Sequence, residues 1–123
     1  MSILALHHIQ IAIPAAGEAD ARVFYGQLLG LPEIPKPMPL AARGGVWFQC
    51  GAVQIHLGIE DDFRAAKKAH PAFVVGDLVA LGQALSAAGF AFTEPQEALS
   101  GYRRAFTADP FGNRVELLQA LPG

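Results

Sequence analysis

Polar and apolar residues alternate along residues 6–13, and this period-two pattern predicts a β-strand. Isoleucine occupies positions 9, 11 and 13, whereas His8 and Gln10 fall on the opposite side. β-Branched residues collected on one face are typical of a strand that packs against a core. We therefore expect the isoleucine face to be buried and the face carrying His8 to be directed away from the core.

A helix and a short edge strand are predicted next. Apolar residues at positions 21, 24, 25, 28 and 29 have helical spacing, so we expect a helix that begins at Glu18 and ends at Gly30. Residues 31–40 contain four prolines, which cannot donate to a sheet, and they allow at most a short strand at its edge.

Residues 46–50 and 53–59 predict a β-hairpin with a tight turn at Gly51. In its second strand the apolar residues occupy the odd positions from 53 to 59, and we expect them to face the core. Gln54 and His56 then lie on the opposite face, as His8 does in the first strand.

The second half of the chain repeats this order of elements. A helix capped by Asp77 and ended by Gly89 is expected after the first strand. The strands are predicted over residues 70–75, 90–93, 102–108 and 114–119. Each half is therefore a βαβββ module, covering residues 1–60 and 70–123, and the charged residues 61–69 are predicted to link them.

Four residues with metal-binding side chains occupy equivalent positions in the two halves. His8 and His70 are separated by 62 positions and His56 and Glu116 by 60, and each lies on the strand face opposite the apolar residues. Three imidazoles and a carboxylate suit a divalent ion such as Zn, Fe, Ni, Co or Mn. The sequence thus predicts one metal site formed by His8, His56, His70 and Glu116.

Other interpretations of these residues stay open. A single histidine in a strand is usually structural, and Glu116 could instead pair with an arginine, with Arg103, Arg104 and Arg114 all available. A buried ion pair is costly to desolvate and is therefore the less favoured alternative. His7 shares the isoleucine side of the first strand, so we expect it to point toward the core or the strand edge and not to bind the metal.

Composition narrows the class of protein. The chain has 9 Lys and Arg against 11 Asp and Glu, and no basic run that would indicate nucleic-acid binding. Its one cysteine, Cys50, cannot form an internal disulfide, which fits a reducing compartment. No stretch is predicted to be a leader or a membrane span, so we expect a cytoplasmic protein that binds neither nucleic acid nor membrane.

Two segments carry a resemblance to a known family. Residues 24–31, FYGQLLGL, and residues 109–116, DPFGNRVE, are similar to segments of the vicinal oxygen chelate superfamily, and the likeness covers essentially the whole chain. That superfamily includes glyoxalase I, extradiol dioxygenases and bleomycin-binding proteins. The resemblance implies an α+β fold in which two βαβββ modules form a cup-shaped mixed β-sheet with the helices on its outer face. It also implies one divalent metal ion and a homodimer, and the family's ligand positions fall on the same four residues.

The function implied by the resemblance is a metal-dependent enzyme acting on a small oxygen-rich substrate that is chelated to the ion. Glyoxalase I typically has a carboxylate or amide at the position of His56, so here Glu116 is the only carboxylate ligand and the expected acid–base residue. A glyoxalase-like lyase or isomerase and a ring-cleaving dioxygenase both stay open. The alternative function is that of a bleomycin-resistance protein, which sequesters a ligand without catalysis.

Several further residues are candidates for contact with the substrate. Gln10 and Gln54 share the predicted ligand face, where they could contact substrate or orient an imidazole. Tyr102 and Arg103 follow a loop and could bind an anion, although adjacent strand residues point to opposite faces, so only one of Arg103 and Arg104 can do so. Trp47 is expected in the pocket or in the core.

Overall fold

A computed structural model describes all 123 residues and shows a mixed α+β fold with two small β-sheets. The chain divides into two compact units, Met1–Arg64 and Ala65–Gly123. The first unit contains β1 (His8–Ile13), α1 (Glu18–Ala21) with a π-helical continuation (Arg22–Leu28), β2 (Glu33–Ile34), a 3-10 turn (Leu40–Arg43), β3 (Val46–Cys50) and β4 (Val53–Ile59). The second contains β5 (Ala72–Val74), α2 (Leu78–Ala87), β6 (Tyr102–Ala108) and β7 (Arg114–Ala120).

The sheet of the first unit is mixed and has the strand order β1-β4-β3-β2. β1 runs parallel to β4, and β3 is antiparallel to both of its neighbours. The predicted alternation is confirmed, since Ile11 and Ile13 are buried while His8 and Gln10 are exposed. β2 is the short edge strand that the prolines allow.

The helix of the first unit covers the apolar face of this sheet. Phe24 and Tyr25 are fully buried, as is Phe48 of β3, and the rings of Tyr25 and Phe48 are 6.2 Å apart. The segment begins at Glu18 as predicted but widens into a π-helix, in which the Leu29 amide donates to the Phe24 carbonyl over 2.9 Å.

The sheet of the second unit has the order β5-β7-β6, with β5 parallel and β6 antiparallel to β7. Val115 and Leu117 of β7 are fully buried on the side where α2 packs, and Glu116 lies on the other face. Asp77 caps α2 as predicted, because its Oδ1 accepts a hydrogen bond from the Ala80 amide over 3.0 Å.

Two strand predictions for the second unit are corrected. Residues 90–93 do not form a strand, and only Thr93 makes an isolated bridge, to Phe106. The ring of Phe92 instead lies over Gly82 of α2, where a Cβ would approach it to 2.7 Å. The first strand of this unit is Ala72–Val74, shorter than residues 70–75, so that His70 lies just before it.

The end of the predicted linker is anchored within the second unit. The Ala66 amide donates to Oδ1 of Asn113 over 2.9 Å, and the Ala66 carbonyl accepts from the Arg114 amide over 2.8 Å. The DPFGN turn therefore holds the segment that leads to His70. No helix of the protein combines the length and apolar character needed to cross a membrane.

Candidate metal centre

His8 and His56 lie together on the face of the first sheet that is opposite the helix. Because β1 and β4 are parallel neighbours, His8 is aligned with Gln54 and Gln10 with His56. The two imidazole rings are stacked, with centroids 4.0 Å apart and planes inclined by 17°. The first unit thus brings two of the four predicted ligands into contact.

The second face of the His56 ring is covered by Trp47, which is aligned with it in β3. The ring centroids are 3.7 Å apart and the planes are parallel to within 1°. His56 is consequently buried to 4% exposure although it points away from the hydrophobic core. The sequence predicts Trp47 either in the pocket or in the core. Because Trp47 is aligned with His56, it lies on the polar face of the sheet. Its neighbour Phe48 is the aromatic residue of β3 that is buried in the core.

Burial lowers the pKa of His56 to about 4, and the positive charge that His8, His7 and Lys36 can carry adds to the effect. His56 is therefore neutral near pH 7, the form in which an imidazole can donate a lone pair to a metal.

Gln54 contacts His56 directly, with Oε1 2.8 Å from Nε2 of the imidazole. An amide oxygen can only accept, so Nε2 carries the proton and donates it. This contact holds the amide of Gln54 against the imidazole, and the prediction that Gln54 orients His56 or contacts a substrate stays a prediction.

The position of His7 in the sequence suggests that its side chain points toward the core or the strand edge. In the structure it does not point into the core. It is exposed and lies just before β1, and its Nδ1 is 2.9 Å from Nδ1 of His8. The strand alternation that supported a core position begins only at His8. His7 is therefore a neighbour of the predicted ligand, and the prediction that it does not bind the metal is unaffected.

The second unit brings together the other two predicted ligands. Nε2 of His70 lies 2.8 Å from Oε1 of Glu116, which is 7% exposed. Nδ1 of His70 lies 2.8 Å from the Lys68 carbonyl oxygen and must donate a proton to it. This hydrogen bond fixes the ring so that Nε2 is directed at the carboxylate, as second-shell carbonyls do for metal-binding histidines.

Arg104 is the arginine on the Glu116 face. Its Nη1 is 3.7 Å from Oε2 of Glu116, whereas Arg103 points to the α2 side of the sheet and is paired with Glu94 at 2.6 Å. Arg103, the predicted substrate contact, thus lies on the face opposite Glu116, and Arg104 is the arginine that shares the Glu116 face. Tyr102 shares the face of Arg104, at the start of β6.

An aromatic ring links the two arginines of this face. The guanidinium carbons of Arg114 and Arg104 lie 4.1 Å and 5.3 Å from the ring centroid of Phe106, whose position is aligned with Glu116.

Glu116 also has a contact with an arginine, which was the alternative to metal binding. That arginine is Arg104, at 3.7 Å. Because Arg104 approaches Oε2 and His70 approaches Oε1, the carboxylate has a partner on each oxygen.

The structure therefore shows two donor pairs, His8–His56 and His70–Glu116. It contains no group of three or more His, Cys, Asp or Glu side chains that could hold a metal ion. The prediction that all four residues bind one ion stays a prediction.

Comparison with known proteins identifies the family. The sequence model of the Glyoxalase/Bleomycin resistance protein/Dioxygenase superfamily matches residues 5–117, and the chain belongs to this superfamily. A Bacillus anthracis protein assigned to the glyoxalase family shares 41% identity, with a TM-score of 0.90 over 98% of both chains.

More distant structures share the fold alone. The fosfomycin resistance protein FosX of Listeria monocytogenes is 16% identical, with a TM-score of 0.74 over 99% of this chain and 95% of its own. The oxidase ChaP-H2 is 22% identical, with a TM-score of 0.73 over 99% and 98%. Among curated proteins, none matches the chain.

Proposed function

We propose that the protein is a metal-dependent enzyme that acts on a small oxygen-rich substrate chelated to a divalent ion. The observation that supports this proposal most directly is the contact between His70 and Glu116. A metal-binding imidazole commonly donates its other N–H to a carbonyl. His70 has this carbonyl contact, and its second nitrogen is directed at a buried carboxylate. His8 and His56 supply a second donor pair of suitable chemistry.

The donor set fits a borderline divalent ion. Imidazole nitrogen and carboxylate oxygen suit Zn, Fe, Ni, Co or Mn, and His56 is neutral at physiological pH, as a ligand must be. We propose that His8, His56, His70 and Glu116 together hold the ion. When bound, it would act as a Lewis acid toward the oxygens of the substrate.

Glu116 is proposed as the acid–base residue, because it is the only carboxylate among the four. Arg104 lies 3.7 Å from its Oε2, and His70 lies beside its Oε1 within hydrogen-bond distance, so a proton could pass between the imidazole and the carboxylate. Gln10, Gln54 and Tyr102 are proposed to contact substrate, together with Arg104 in place of Arg103.

A lyase or isomerase and a ring-cleaving dioxygenase are separated by one pair of assays. A ring-cleaving enzyme consumes O₂ when it is supplied with a catechol, whereas an isomerase exchanges a substrate C–H for solvent deuterium without consuming O₂. Loss of either activity in Glu116→Gln would tie the reaction to this carboxylate.

The test of the metal site is the divalent-ion content of protein purified without chelator. We expect close to one ion per chain in the wild type and a large loss in His56→Ala and Glu116→Ala. Glu94→Ala is the matched control, because Glu94 is exposed and paired with Arg103 on the opposite face. If the wild type binds no stoichiometric ion after loading with each candidate metal, the enzyme proposal fails and a ligand-sequestering protein becomes the better description.

A further inference from the structure

A small cavity in the first unit adjoins the His56 face of the sheet. It has a volume of about 280 Å³, and its lining includes Gln10, Lys36, Arg43, Gly44, Trp47 and Gly58. Gln10 and Trp47 are the residues aligned on either side of His56. Gly58 follows two positions after His56 on the same face of β4, so this part of the lining lies roughly 7 Å along the strand from His56.

Two glycines shape the wall of the cavity. Gln10 occupies the space above Gly58, where a Cβ would lie 2.7 Å from its Nε2. Gly45 has a φ of +91°, and a Cβ there would lie 2.2 Å from the Leu57 carbonyl oxygen, so only glycine permits the loop to approach β4 this closely. The loop thereby carries Arg43 over the polar face of the sheet.

The charge of the lining is positive. Lys36 and Arg43 are its only charged residues, and Arg43 forms no ion pair. Lys36 donates one hydrogen bond to the Gly44 carbonyl and has two further N–H groups. A carboxylate lies beside the rim, that of Glu18, whose Oε2 is 3.6 Å from the Cβ position of Gly44.

Trp47 gives the cavity an aromatic wall. One face of its ring is covered by His56, and the ring also lines the cavity. An aromatic wall beside two cations and an amide recognises a planar group that carries an anionic oxygen.

From these observations we infer that the cavity is an anion subsite that binds the carboxylate of a small planar acid through Lys36, Arg43 and Gln10, with its planar part against Trp47. The inference rests on the proposed function, because it states that the substrate of the proposed enzyme is an anion. The reacting oxygens of that substrate would lie toward His56. Binding of the anion itself requires no metal.

The chain contains its own reporter for this subsite, because Trp47 is the only tryptophan. The experiment is a titration of metal-free protein with benzoate, followed by tryptophan fluorescence, with benzamide as the uncharged analogue. We expect a saturable change with benzoate and at least about tenfold weaker binding of benzamide, as loss of a charge-assisted hydrogen bond implies.

Variants locate the binding. Arg43→Gln is expected to weaken benzoate binding about tenfold, and Lys36→Gln similarly, whereas Arg64→Gln, which removes an exposed cation outside the cavity, is expected to leave it unchanged. Equal affinities for benzoate and benzamide would overturn the subsite, and so would an Arg43→Gln affinity equal to that of the wild type. A benzoate response in a protein that binds no metal would leave the subsite intact while the proposed enzyme function fails.

Discussion

Nε2 of His70 lies 2.8 Å from Oε1 of Glu116, although the two residues are 46 positions apart in the chain. The pairing of β5 with β7 brings them together, because the Glu116 amide donates to the Pro71 carbonyl at the start of that pairing. The Lys68 carbonyl then fixes the ring of His70 from the other side. The contact is thus a consequence of backbone topology, and it prepares a donor pair before any ligand arrives.

Replacing Glu116 by glutamine should weaken metal binding strongly. Loss of a residue that only contacts a metal ligand lowers the affinity roughly 10–100-fold, and we expect loss of the Glu116 carboxylate to lower it further. The amide keeps the shape of the side chain but removes the charge, and it cannot act as the acid–base group. Affinity is measured by competition with a chromophoric chelator, with Glu94→Gln as the control. Equal affinities of Glu116→Gln and wild type would remove Glu116 from the ligand set.

His8→Ala is expected to lose most of its metal, whereas His7→Ala keeps full occupancy with at most about tenfold weaker affinity. The small effect is expected because His7 contacts Nδ1 of His8 and so helps to orient its ring. Metal content by mass spectrometry measures occupancy, and chelator competition measures affinity. Loss of metal in His7→Ala with retention in His8→Ala would show that the two histidines have the opposite roles.

The His56 imidazole of the metal-free protein should titrate at about pH 4, against an ordinary value of 6.5. Between about pH 4 and pH 6.5, the unfolded chain therefore binds a proton at His56 more readily than the folded chain does. The stability contributed by neutral His56 is therefore present above about pH 6.5 and is lost as the pH falls through about 4.

NMR of histidine side chains labelled with ¹⁵N measures this titration, and His56→Gln assigns the signal. The variant should also show a shallower fall in the free energy of unfolding between pH 6.5 and 4 than the wild type. A His56 midpoint near 6.5 would contradict its burial between Trp47 and His8.

Local chemistry predicted much of the fold. The alternation along β1, the Asp77 cap and the Gly30 stop each depend on neighbouring residues only, and the structure has all three. Alternation also predicts that His56 and Glu116 lie on the faces opposite the apolar residues, and the structure has both there.

Features that depend on distant neighbours could not be predicted. The sequence gives no means of choosing between Arg103 and Arg104, because the choice depends on which face of β6 meets α2. Residues 90–93 have a strand composition, yet Phe92 packs onto Gly82 and only Thr93 pairs. The Trp47–His56 stack likewise follows from the β3–β4 register.

Asp109→Ala should destabilise the protein by roughly 2–4 kcal/mol. The buried carboxylate accepts hydrogen bonds from the Phe111 and Asn113 amides and from the Asn113 side chain, each at 2.9 Å. Its loss leaves these donors without their acceptor and loosens the turn that holds Ala66. Chemical denaturation measures the change, and exposed Asp61→Ala should stay within about 0.5 kcal/mol. A comparably small effect of Asp109→Ala would show that the turn does not depend on this carboxylate.

The homodimer that the family resemblance implies allows a test of which chains supply the two donor pairs. Light scattering is expected to show a dimer. One chain would carry His8→Ala and His56→Ala, and the other His70→Ala and Glu116→Ala, so that each chain lacks one pair and keeps the other. Neither variant alone should hold metal. If each ion takes one pair from each of two chains, co-expressed and co-purified heterodimers regain about one ion per dimer, because one of the two sites then combines the two intact pairs. If all four ligands come from one chain, the heterodimer stays empty. A strict monomer that nevertheless binds one ion per chain would exclude the shared arrangement and assign all four ligands to a single copy.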